Sequence, residues 1–594
     1  MADILAPPVQ DSISLSQPSD RPDAHTQKYD RQLRLWGAGG QIGLESARVL
    51  LVGGNSTATQ ALKNLVLPGI GHFTLTSPIT STTPSDLGPN FFLSPPSLSQ
   101  PLAPSAVSHL LELNSDVSGM GLTLSPSQIT GELVGEHSLV VAVDVEDPRE
   151  YVRLAEECWG RKVPFVGVKS VGFFGMVRVQ VEELCIVESH PSSLVDLRVH
   201  HPFPALLQYA DTFSFDTMDS AEHGHVPAVV ILVKGLREWE REHSSLPLTF
   251  KDRQAFTKSI LALKRQSDEE NFDEAVALFR RAGGGEKVPK DVERLFGDEK
   301  CENVDKDSTN FWLLLRSIRA FTRLPSSCGL LPLSGALPDM KSHSSTYITL
   351  QNIYKKKAKE DCAEVRRLLD ELCGRVGIEG GSQERVGEEE LESFVKHAAW
   401  VKVIRGRRVK EEMAEGGSRI KGRTGELVMS AYAQPLTDTS LFVYLALRAA
   451  DAFYLLHSRY PGSYPSFSFP SSATPEALEA DALELEGIAR KLLIEWKGEE
   501  KWEETVGWDE EEQGEKVWRK VGEVCREITR TPPSTTLPQT SALLGGLVAQ
   551  EAIKLVTRQY VPLGTVLTAG GKGYVGGETS VWDGVRSGSG VLDA

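Results

Sequence analysis

The chain has 594 residues, with 64 Lys and Arg against 81 Asp and Glu, which gives a formal net charge of −17. That balance argues against a protein that binds nucleic acid or an anionic membrane surface, because both need a basic face. Seven scattered cysteines with no C-x-x-C pair indicate neither a disulfide framework nor a zinc ribbon, and no apolar stretch is long enough to span a membrane. We therefore expect a soluble protein of the cytoplasm and nucleus.

The N-terminal part of the chain alternates strand and helix signals. Residues 1–25 are polar and rich in Pro, Ser and Asp, so they are predicted to be a disordered tail. Within residues 26–190, ARVLLVGG at 47–54 is predicted to be a buried parallel strand, STATQALKNLV at 56–66 a helix, and HFTLTS at 72–77 the next strand. Strand, helix and strand in about 30 residues make one βαβ unit.

The same alternation continues to residue 190. SLVVAVDV at 138–145 is predicted to be a buried strand, YVRLAEECWGRK at 151–162 a helix, and VPFVGVKS at 163–170 a further strand. FGMVRVQV at 174–181 alternates apolar and polar residues, which is typical of an antiparallel strand. The fold class predicted for this region is α/β, a doubly wound, Rossmann-like domain.

The sequence pattern changes after the α/β region. Residues 191–530 contain long, charged, amphipathic helical segments, among them 441–462, and are predicted to be a mostly helical insertion. The acidic run from Glu499 to Glu515 is predicted to be a solvated face. The segment 541–562 is apolar on nearly all helical faces and must be buried, so residues 531–594 are predicted to return to the first domain.

The loop after the first strand decides whether the sheet holds a nucleotide. A phosphate cradle needs G-x-G-x-x-G, whereas here Gly53 and Gly54 are followed by a stretch that contains β-branched Thr57 and Thr59. The acidic residue that would hold a ribose after the second strand is also missing, since Ser77 leads into a proline. The sequence favours a structural strand-turn-helix over a cofactor cradle.

Weaker signals have structural interpretations. The basic stretch Tyr354–Lys359 is predicted to be a solvated helix face, and Gly545 and Gly546 are assigned to close helix packing. Two histidine pairs lack the further ligands of a metal site, so we expect no metal there. These pairs are His200 with His201 and His223 with His225.

Several sequence blocks carry a resemblance to a known family. They are KYDRQLRLWG (28–37), ARVLLVGG (47–54), KNLVLPGIG (63–71), NFFL (90–93), LELNSDVSG (111–119), VESHPSSLVDLRVHHPFP (187–204), LPDMKSHSSTYITLQNIYKKKAKED (337–361), RYPG (459–462) and LGGLVAQEAIKLVTRQYVP (544–562). The chain resembles the ubiquitin-like-protein activating enzymes, and most closely the regulatory, non-catalytic subunits of the neddylation-activating enzyme. The resemblance spans roughly residues 28–565, including the helical insertion.

This resemblance implies a division of labour. In that family two adenylation-like domains pair, and only one of them holds ATP-Mg. The chain is therefore expected to bind no cofactor itself, to form a heterodimer with a catalytic subunit that binds ATP-Mg, and to serve the activation of the ubiquitin-like protein NEDD8. The insertion would correspond to half a catalytic-cysteine domain without the cysteine.

Departures from the active members support the non-catalytic assignment. Their Asn-x-x-Arg-Gln sequence is reduced here to Asn90 followed by Phe-Phe-Leu-Ser, and none of the seven cysteines precedes a threonine as the thioester-forming cysteine does. The run from Asp144 to Arg149 (DVEDPR) is retained. We interpret Asp144 as a carboxylate at a helix N-terminus rather than a nucleotide ligand, and any ligand role of Asp144 or Arg149 stays open.

One residue is expected to take part in the chemistry. The resemblance implies that an arginine of the first ordered segment, here Arg31, reaches the phosphates of ATP bound to the partner subunit, because a guanidinium presents a fixed fork of donors to phosphate oxygens. A salt bridge across the dimer or the capping of local structure is the alternative role for Arg31, and Arg34 is assigned a structural role. Two other hypotheses for the chain are a self-contained nucleotide-dependent enzyme and a non-enzymatic interaction scaffold.

Overall fold

The computed structural model describes most of the chain. The described residues are 23–189, 196–281, 287–378, 381–414, 425, 428–429, 440–464, 473–499, 501–505, 507, 509–531, 537–563, 579–583 and 588–591. They divide into two units, one formed by 1–184 with 404–594 and the other by 185–403. Most of the predicted tail, residues 1–22, and most of the linker before the last helix, 532–536, lie outside the described residues.

A mixed sheet organises the first unit. The strands of the molecule are β1 (Arg48–Val52), β2 (His72–Thr76), β3 (Ser118–Leu122), β4 (Leu139–Val143), β5 (Phe165–Val171), β6 (Phe174–Gln180), β7 (Leu184–Ile186), β8 (Lys402–Ile404), β9 (Thr579–Asp583) and β10 (Gly588–Val591). The sheet has the order β10-β9-β6-β5-β4-β1-β2-β3, and β7 pairs with β8 separately. Strands β3, β2, β1, β4 and β5 are parallel, whereas β6, β9 and β10 run antiparallel to their neighbours. The predicted doubly wound α/β fold and the antiparallel strand after it are confirmed.

Helices surround this sheet and form the second unit. The first unit contains α1 (Ala24–Ser46), α2 (Ser56–Val66), α3 (Pro84–Leu87), α4 (Leu102–Leu111), α5 (Gly131–Gly135) and α6 (Pro148–Gly160). The second unit contains α7 (Pro204–Asp211), α8 (Ser220–His223), α9 (Ala228–His243), α10 (Phe250–Ala262), α11 (Glu270–Arg281), α12 (Lys290–Phe296), α13 (Glu299–Glu302), α14 (Asn310–Thr322), α15 (Ser344–Val376), α16 (Gly381–Arg385) and α17 (Glu388–His397). The chain then returns to the first unit with α18 (Val409–Met413), α19 (Ser440–His457), α20 (Pro475–Lys497), α21 (Trp502–Thr505), α22 (Glu515–Arg530) and α23 (Pro538–Thr557). Among the described helices, none is both long and apolar enough to cross a membrane.

The two units divide the chain differently from the predicted boundaries at 190 and 530. Residues 404–530, which the sequence places in the insertion, lie in the unit of the sheet. The reason is a shared core: Val171 and Phe174 of β5 and β6 are buried in one cluster with Phe442 of α19, Leu493 of α20 and Val521 of α22. Long amphipathic helices therefore do not by themselves mark the insertion.

The last helix, α23, packs on the first part of the chain as predicted. A Cβ atom added at Gly545 would lie 2.6 Å from Cβ of Gln60 in α2, so glycine is required for this close approach. A Cβ atom added at Gly546 would have its nearest neighbour, Nδ2 of Asn64, 4.0 Å away, so the close-packing assignment is wrong for this residue. The helix also buries Leu544 and Val548.

Buried ion pairs connect the sheet to the returning helices. Lys169 of β5 pairs with Asp451 of α19, and both side chains are less than one tenth exposed. Arg178 of β6 donates to Glu412 of α18 over 2.7 Å, and the hydroxyl of Tyr444 donates to the same carboxylate. These charges are desolvated, so each depends on its partner for stability.

Candidate functional site

A cleft lies at the carboxyl ends of the parallel strands. It has a volume of about 570 Å³ and is lined by the loops after β1, β2 and β4, together with residues of α3, α4, α6 and α19. This edge of a doubly wound sheet is where such folds bind ligands. The cleft is therefore the candidate nucleotide site, and its lining residues decide whether it can hold phosphates.

The glycines of the loop after β1 serve the packing of the sheet. Gly53 has φ +120°, and a Cβ atom there would lie 2.4 Å from the carbonyl oxygen of Val143 in β4. A Cβ atom at Gly54 would lie 2.6 Å from Oγ of Ser77, after β2. Both glycines are needed where three strand ends converge, independently of any phosphate.

The N-terminus of α2 is capped by a side chain of the same loop. Asn55 Oδ1 accepts a hydrogen bond from the backbone nitrogen of Ala58 over 3.1 Å, and Asn55 Nδ2 donates to Asp144 over 2.5 Å. The helix end that would bind a phosphate group thus has an internal acceptor. Sequence reasoning missed this role, although an asparagine between a strand and a helix is an N-cap signal.

Comparison with the glycine motif places Thr57 and Thr59 in the loop after β1, and this placement is wrong. Thr57 and Thr59 belong to the first turns of α2 and are fully buried away from the cleft. Thr57 Oγ1 lies 3.0 Å from the hydroxyl of Ser170 and 3.2 Å from that of Ser541 in α23. Thr59 Oγ1 donates to Asn90 Oδ1 over 2.9 Å. The helical period turns both side chains toward the protein interior.

Asp144 connects the ends of β4 and β5. Its Oδ1 accepts from the backbone nitrogen of Ser170 over 2.6 Å, its Oδ2 accepts from the Ser170 hydroxyl, and its own φ is +49°. The carboxylate at the helix N-terminus is instead Asp147, which accepts from the backbone nitrogen of Arg149 over 2.9 Å. The interpretation of Asp144 as a helix-terminal carboxylate is therefore wrong, and the guanidinium of Arg149 is held by Asp147.

The negative charge of the cleft disfavours binding of a nucleotide's phosphates. Five carboxylates line it and, among the described lining residues, none is Lys or Arg. The five are Asp86, Asp144, Glu146, Asp147 and Glu150. Burial raises the pKa of Asp144 to about 6, against hydrogen bonds from Ser170 and Asn55 and the nearby Lys169 charge, all of which lower it. These residues do not fit the phosphates of ATP.

The segment that carries Arg31 is fixed to the sheet domain by polar contacts. Tyr29 is buried in α1, and its hydroxyl donates to Asp116 over 2.9 Å. Lys28 Nζ donates to the same carboxylate over 2.6 Å and to Asn114 over 2.5 Å. The backbone just before position 31 is therefore held against the sheet domain.

Arg31 and Arg34 differ in their surroundings. Arg34 pairs with Asp30 one helical turn earlier over 3.1 Å. The Arg31 side chain is exposed and forms no ion pair with any described residue. On the same segment Leu35 and Ile42 leave 52% and 61% of their surface exposed, although both are apolar. Both the cation and two apolar side chains of α1 are thus at the surface, with Ile42 beyond a non-helical break at Gly37.

Comparison with known proteins agrees with this geometry. The model of the ThiF family matches residues 29–572. A NEDD8-activating enzyme E1 regulatory subunit of Danio rerio is 34% identical over 92% of this chain and 96% of its own length. One of Gallus gallus is 35% identical over 92% and 96%, and AXR1 of Arabidopsis thaliana, of the same description, is 30% identical over 91% and 94%. The chain belongs to the ThiF family and, within it, to the NEDD8-activating enzyme E1 regulatory subunits.

The resemblance stated from the sequence blocks is thereby confirmed over nearly the whole chain. Among solved structures, Escherichia coli MccB in its complex with MccA matches 26% of this chain and 49% of its own chain, at 16% identity and a TM-score of 0.24. The family therefore rests on the sequence relatives and on the ThiF match.

Burial suppresses thiolate chemistry at most of the cysteines. None of the seven takes part in a disulfide, and four of them, Cys158, Cys301, Cys373 and Cys525, are buried. Burial raises the pKa of Cys158 and Cys525 to about 12 and that of Cys301 and the half-buried Cys362 to about 11. A nucleophilic cysteine needs the opposite shift. These four thiols are poor candidates for a thioester.

The predicted histidine pairs take part in side-chain packing. His223 Nδ1 lies 2.7 Å from a carboxylate oxygen of Glu269, and its ring stacks on Phe272. The His225 ring stacks on that of His343 with 4.2 Å between centroids. In the part of the chain that the structure describes, no group of three or more His, Cys, Asp or Glu side chains is placed to hold a metal ion.

Proposed function

We propose that this chain is the non-catalytic half of a heterodimer that activates NEDD8. It pairs with a catalytic subunit, which binds ATP-Mg, adenylates the modifier and takes it onto its own cysteine. The observation that carries the non-catalytic role is the composition of the cleft, where five carboxylates and a capped helix end stand where phosphates would bind. Family membership supplies the modifier and the need for a partner.

The proposed contribution of this chain to the ATP site is Arg31. Its guanidinium reaches the phosphates on the catalytic subunit, where a fixed fork of donors matches phosphate oxygens and keeps its charge at any physiological pH. Three observations support this role: the side chain is exposed, it has no ion-pair partner among the described residues, and its backbone is tethered through Tyr29. Exposed Leu35 and Ile42 are suited to covering by a partner subunit.

The acidic cleft argues against a self-contained nucleotide enzyme, because carboxylates repel phosphates in a partly desolvated site.

The scaffold hypothesis differs from the proposed function in one respect. It predicts that the activity of the complex does not depend on Arg31. The correspondence of the insertion to half a catalytic-cysteine domain, and a location in the cytoplasm and nucleus, stay predictions.

The proposal is tested by measuring ATP-Mg binding calorimetrically and NEDD8 thioester formation on gels. Each assay uses this chain alone, the catalytic subunit alone, and the pair. We expect no ATP binding and no thioester on this chain, and both activities in the pair, with the thioester on the catalytic subunit. Saturable ATP binding by the isolated chain would contradict the proposal.

A further inference from the structure

The helical unit 185–403 contains a second cleft of different charge. It has a volume of about 280 Å³, lies between α14 and α15, and is lined by four arginines with no acidic side chain among its described lining residues. The arginines are Arg316, Arg319, Arg323 and Arg375. The chain as a whole has a net charge of −17, so this cleft is a positively charged site in an acidic protein.

Most of this positive charge has no internal counterion. Arg319 pairs with Glu302 over 3.1 Å, yet its Nη1 atom is buried and has no hydrogen-bond acceptor among the described residues. Arg375 Nε donates only to the carbonyl oxygen of Glu371 in its own helix, over 3.4 Å. Neither this residue nor Arg316 or Arg323 forms an ion pair within the described part of the chain. The cleft therefore has unused donors.

The spacing of the arginines defines a strip. Positions 316, 319 and 323 recur at three and four residues, so they share one face from the middle of α14 to its C-cap residue, Arg323, and span about 10 Å. That length corresponds to about three residues of extended chain. The opposite face of α14 is fixed in the core by Leu314 and Ile318, both fully buried. The strip is thus held on a rigid support.

The other wall of the cleft is apolar. Leu368 and Leu372, one turn apart on α15, line it beside Arg375. Leu372 is buried in the core of the unit, whereas Leu368 is half-buried and packs against that core. A lone phosphate would satisfy one or two guanidinium groups and leave Leu368 uncovered. A peptide with several carboxylates around an apolar residue would engage both walls, because guanidinium groups bind carboxylates through two parallel hydrogen bonds.

We infer that this cleft, here called the arginine cleft, is a docking site for an extended acidic segment of a partner protein. The segment carries at least three Asp or Glu residues and an apolar side chain that contacts Leu368. This interaction is separate from the proposed ATP-site role of Arg31, and its failure would leave that role untouched.

The test measures binding of a fluorescein-labelled peptide, Asp-Glu-Leu-Glu-Asp-Glu, to the full chain by fluorescence anisotropy. The neutral peptide Asn-Gln-Leu-Gln-Asn-Gln is the control ligand. We expect saturable binding of the acidic peptide only, weakening as NaCl is raised from about 50 to about 300 mM, because salt screens exposed charges. The triple variant Arg316→Gln, Arg323→Gln, Arg375→Gln should bind on the order of tenfold more weakly.

Arg241→Gln is the matched control variant, since Arg241 lies on α9 of the same unit, is exposed and pairs with Glu238. It should bind the peptide as the unmodified chain does. If the triple variant fails to fold, the single Arg316→Gln, which changes a side chain in the middle of α14, should weaken binding about two- to fivefold.

Three results would overturn the inference. The first is equal binding of the acidic and neutral peptides. The second is a triple variant with a lowered melting temperature and unchanged peptide affinity, which would restrict these arginines to stabilising helix C-termini. The third is displacement of the peptide by inorganic phosphate at concentrations no higher than the peptide's Kd, which would indicate a simple anion site.

Discussion

The cleft at the strand ends and the Arg31 segment belong to the same unit but differ in how their polar groups are bonded. In the cleft, the polar groups of Asn55, Asp144 and Ser170 bond to one another, and the carboxylates leave no positive charge for a phosphate. On the α1 segment, the backbone is anchored through Tyr29 while the Arg31 guanidinium is left exposed. The polar groups of the cleft are satisfied by internal hydrogen bonds, whereas the Arg31 guanidinium is available to a ligand or a partner.

This difference is the one expected of a supporting subunit built on a nucleotide-binding fold, in line with the proposed function. Buried polar groups must be satisfied, so a site that loses its ligand gains internal hydrogen bonds. An exposed arginine carries little desolvation cost and can be retained for a second protein. The comparison predicts that changes around the cleft alter stability, whereas changes at Arg31 alter the activity of the complex.

The largest effect on stability is expected at the buried pair next to the cleft. Asp451→Ala leaves the Lys169 ammonium desolvated without its counterion and should lower the free energy of unfolding by about 3–5 kcal/mol. Urea unfolding measures this loss. The double variant Lys169→Met, Asp451→Leu should recover part of it, because the Lys169 charge is removed with its counterion, while the buried Arg448, 4.0 Å from Asp451, still loses a neighbouring carboxylate. A loss below about 1 kcal/mol in the single variant would mean that the pair is solvated.

The pH dependence of stability should report on Asp144. Its pKa is raised from 3.8 to about 6 in the folded chain, so between these values the folded state binds more protons than the unfolded state. The free energy of unfolding of the unmodified chain, relative to Asp144→Asn, should therefore rise by about 1–3 kcal/mol as the pH falls from 7 to 4. Urea unfolding at several pH values measures this difference. A difference that grows as the pH rises would contradict the structural account.

A smaller loss is expected at the capped helix end. Asn55→Ala removes the cap of α2 and one donor to Asp144, so thermal unfolding should show a loss of about 1–2 kcal/mol. Asn55→Ser retains a capping oxygen and should lose less. Adenylation by the heterodimer should stay unchanged in both variants, and a selective loss of adenylation would return a catalytic role to the cleft.

The smallest effect is expected at the one fully exposed thiol among the described cysteines. Cys328 is exposed, whereas four other thiols are buried, so Cys328→Ala should remove the fastest phase of reaction with a thiol reagent. NEDD8 thioester formation by the pair should not change. A loss of thioester in this variant would contradict the absence of a catalytic cysteine from this chain.

Local sequence patterns predicted the central strands and helices of the sheet domain, because the periodicity of apolar residues within one element is enough to identify it. The helix predicted at 56–66 is observed as α2 (Ser56–Val66), and the strand at 72–77 as β2 (His72–Thr76). The Ser- and Pro-rich stretch 77–108 is mostly loop, and α4 begins within it at Leu102. Strand β3, with the sequence SGMGL, has too few β-branched residues to be recognised, and it depends on pairing with β2.

The position of the candidate site was predictable, whereas its internal bonding was not. Gly53 and Gly54 located the cleft at the end of β1. The choice of helix cap between Asp144 and Asp147, three residues apart, depends on backbone geometry that the sequence does not display, since aspartate suits both positions. The pairing of Thr57 with Ser541 joins residues that lie far apart in the chain, so no local pattern predicts it.

The most direct test of the central claim is ATP–pyrophosphate exchange with NEDD8 and the assembled heterodimer. Arg31→Ala should slow the exchange on the order of 10- to 100-fold, the value expected for losing one charged contact to phosphate. Arg34→Ala, which changes a neighbouring arginine already paired with Asp30, should leave the rate nearly unchanged. Equal rates for the unmodified pair and the Arg31→Ala pair, with heterodimer formation intact, would contradict the claim that this chain donates an arginine to its partner.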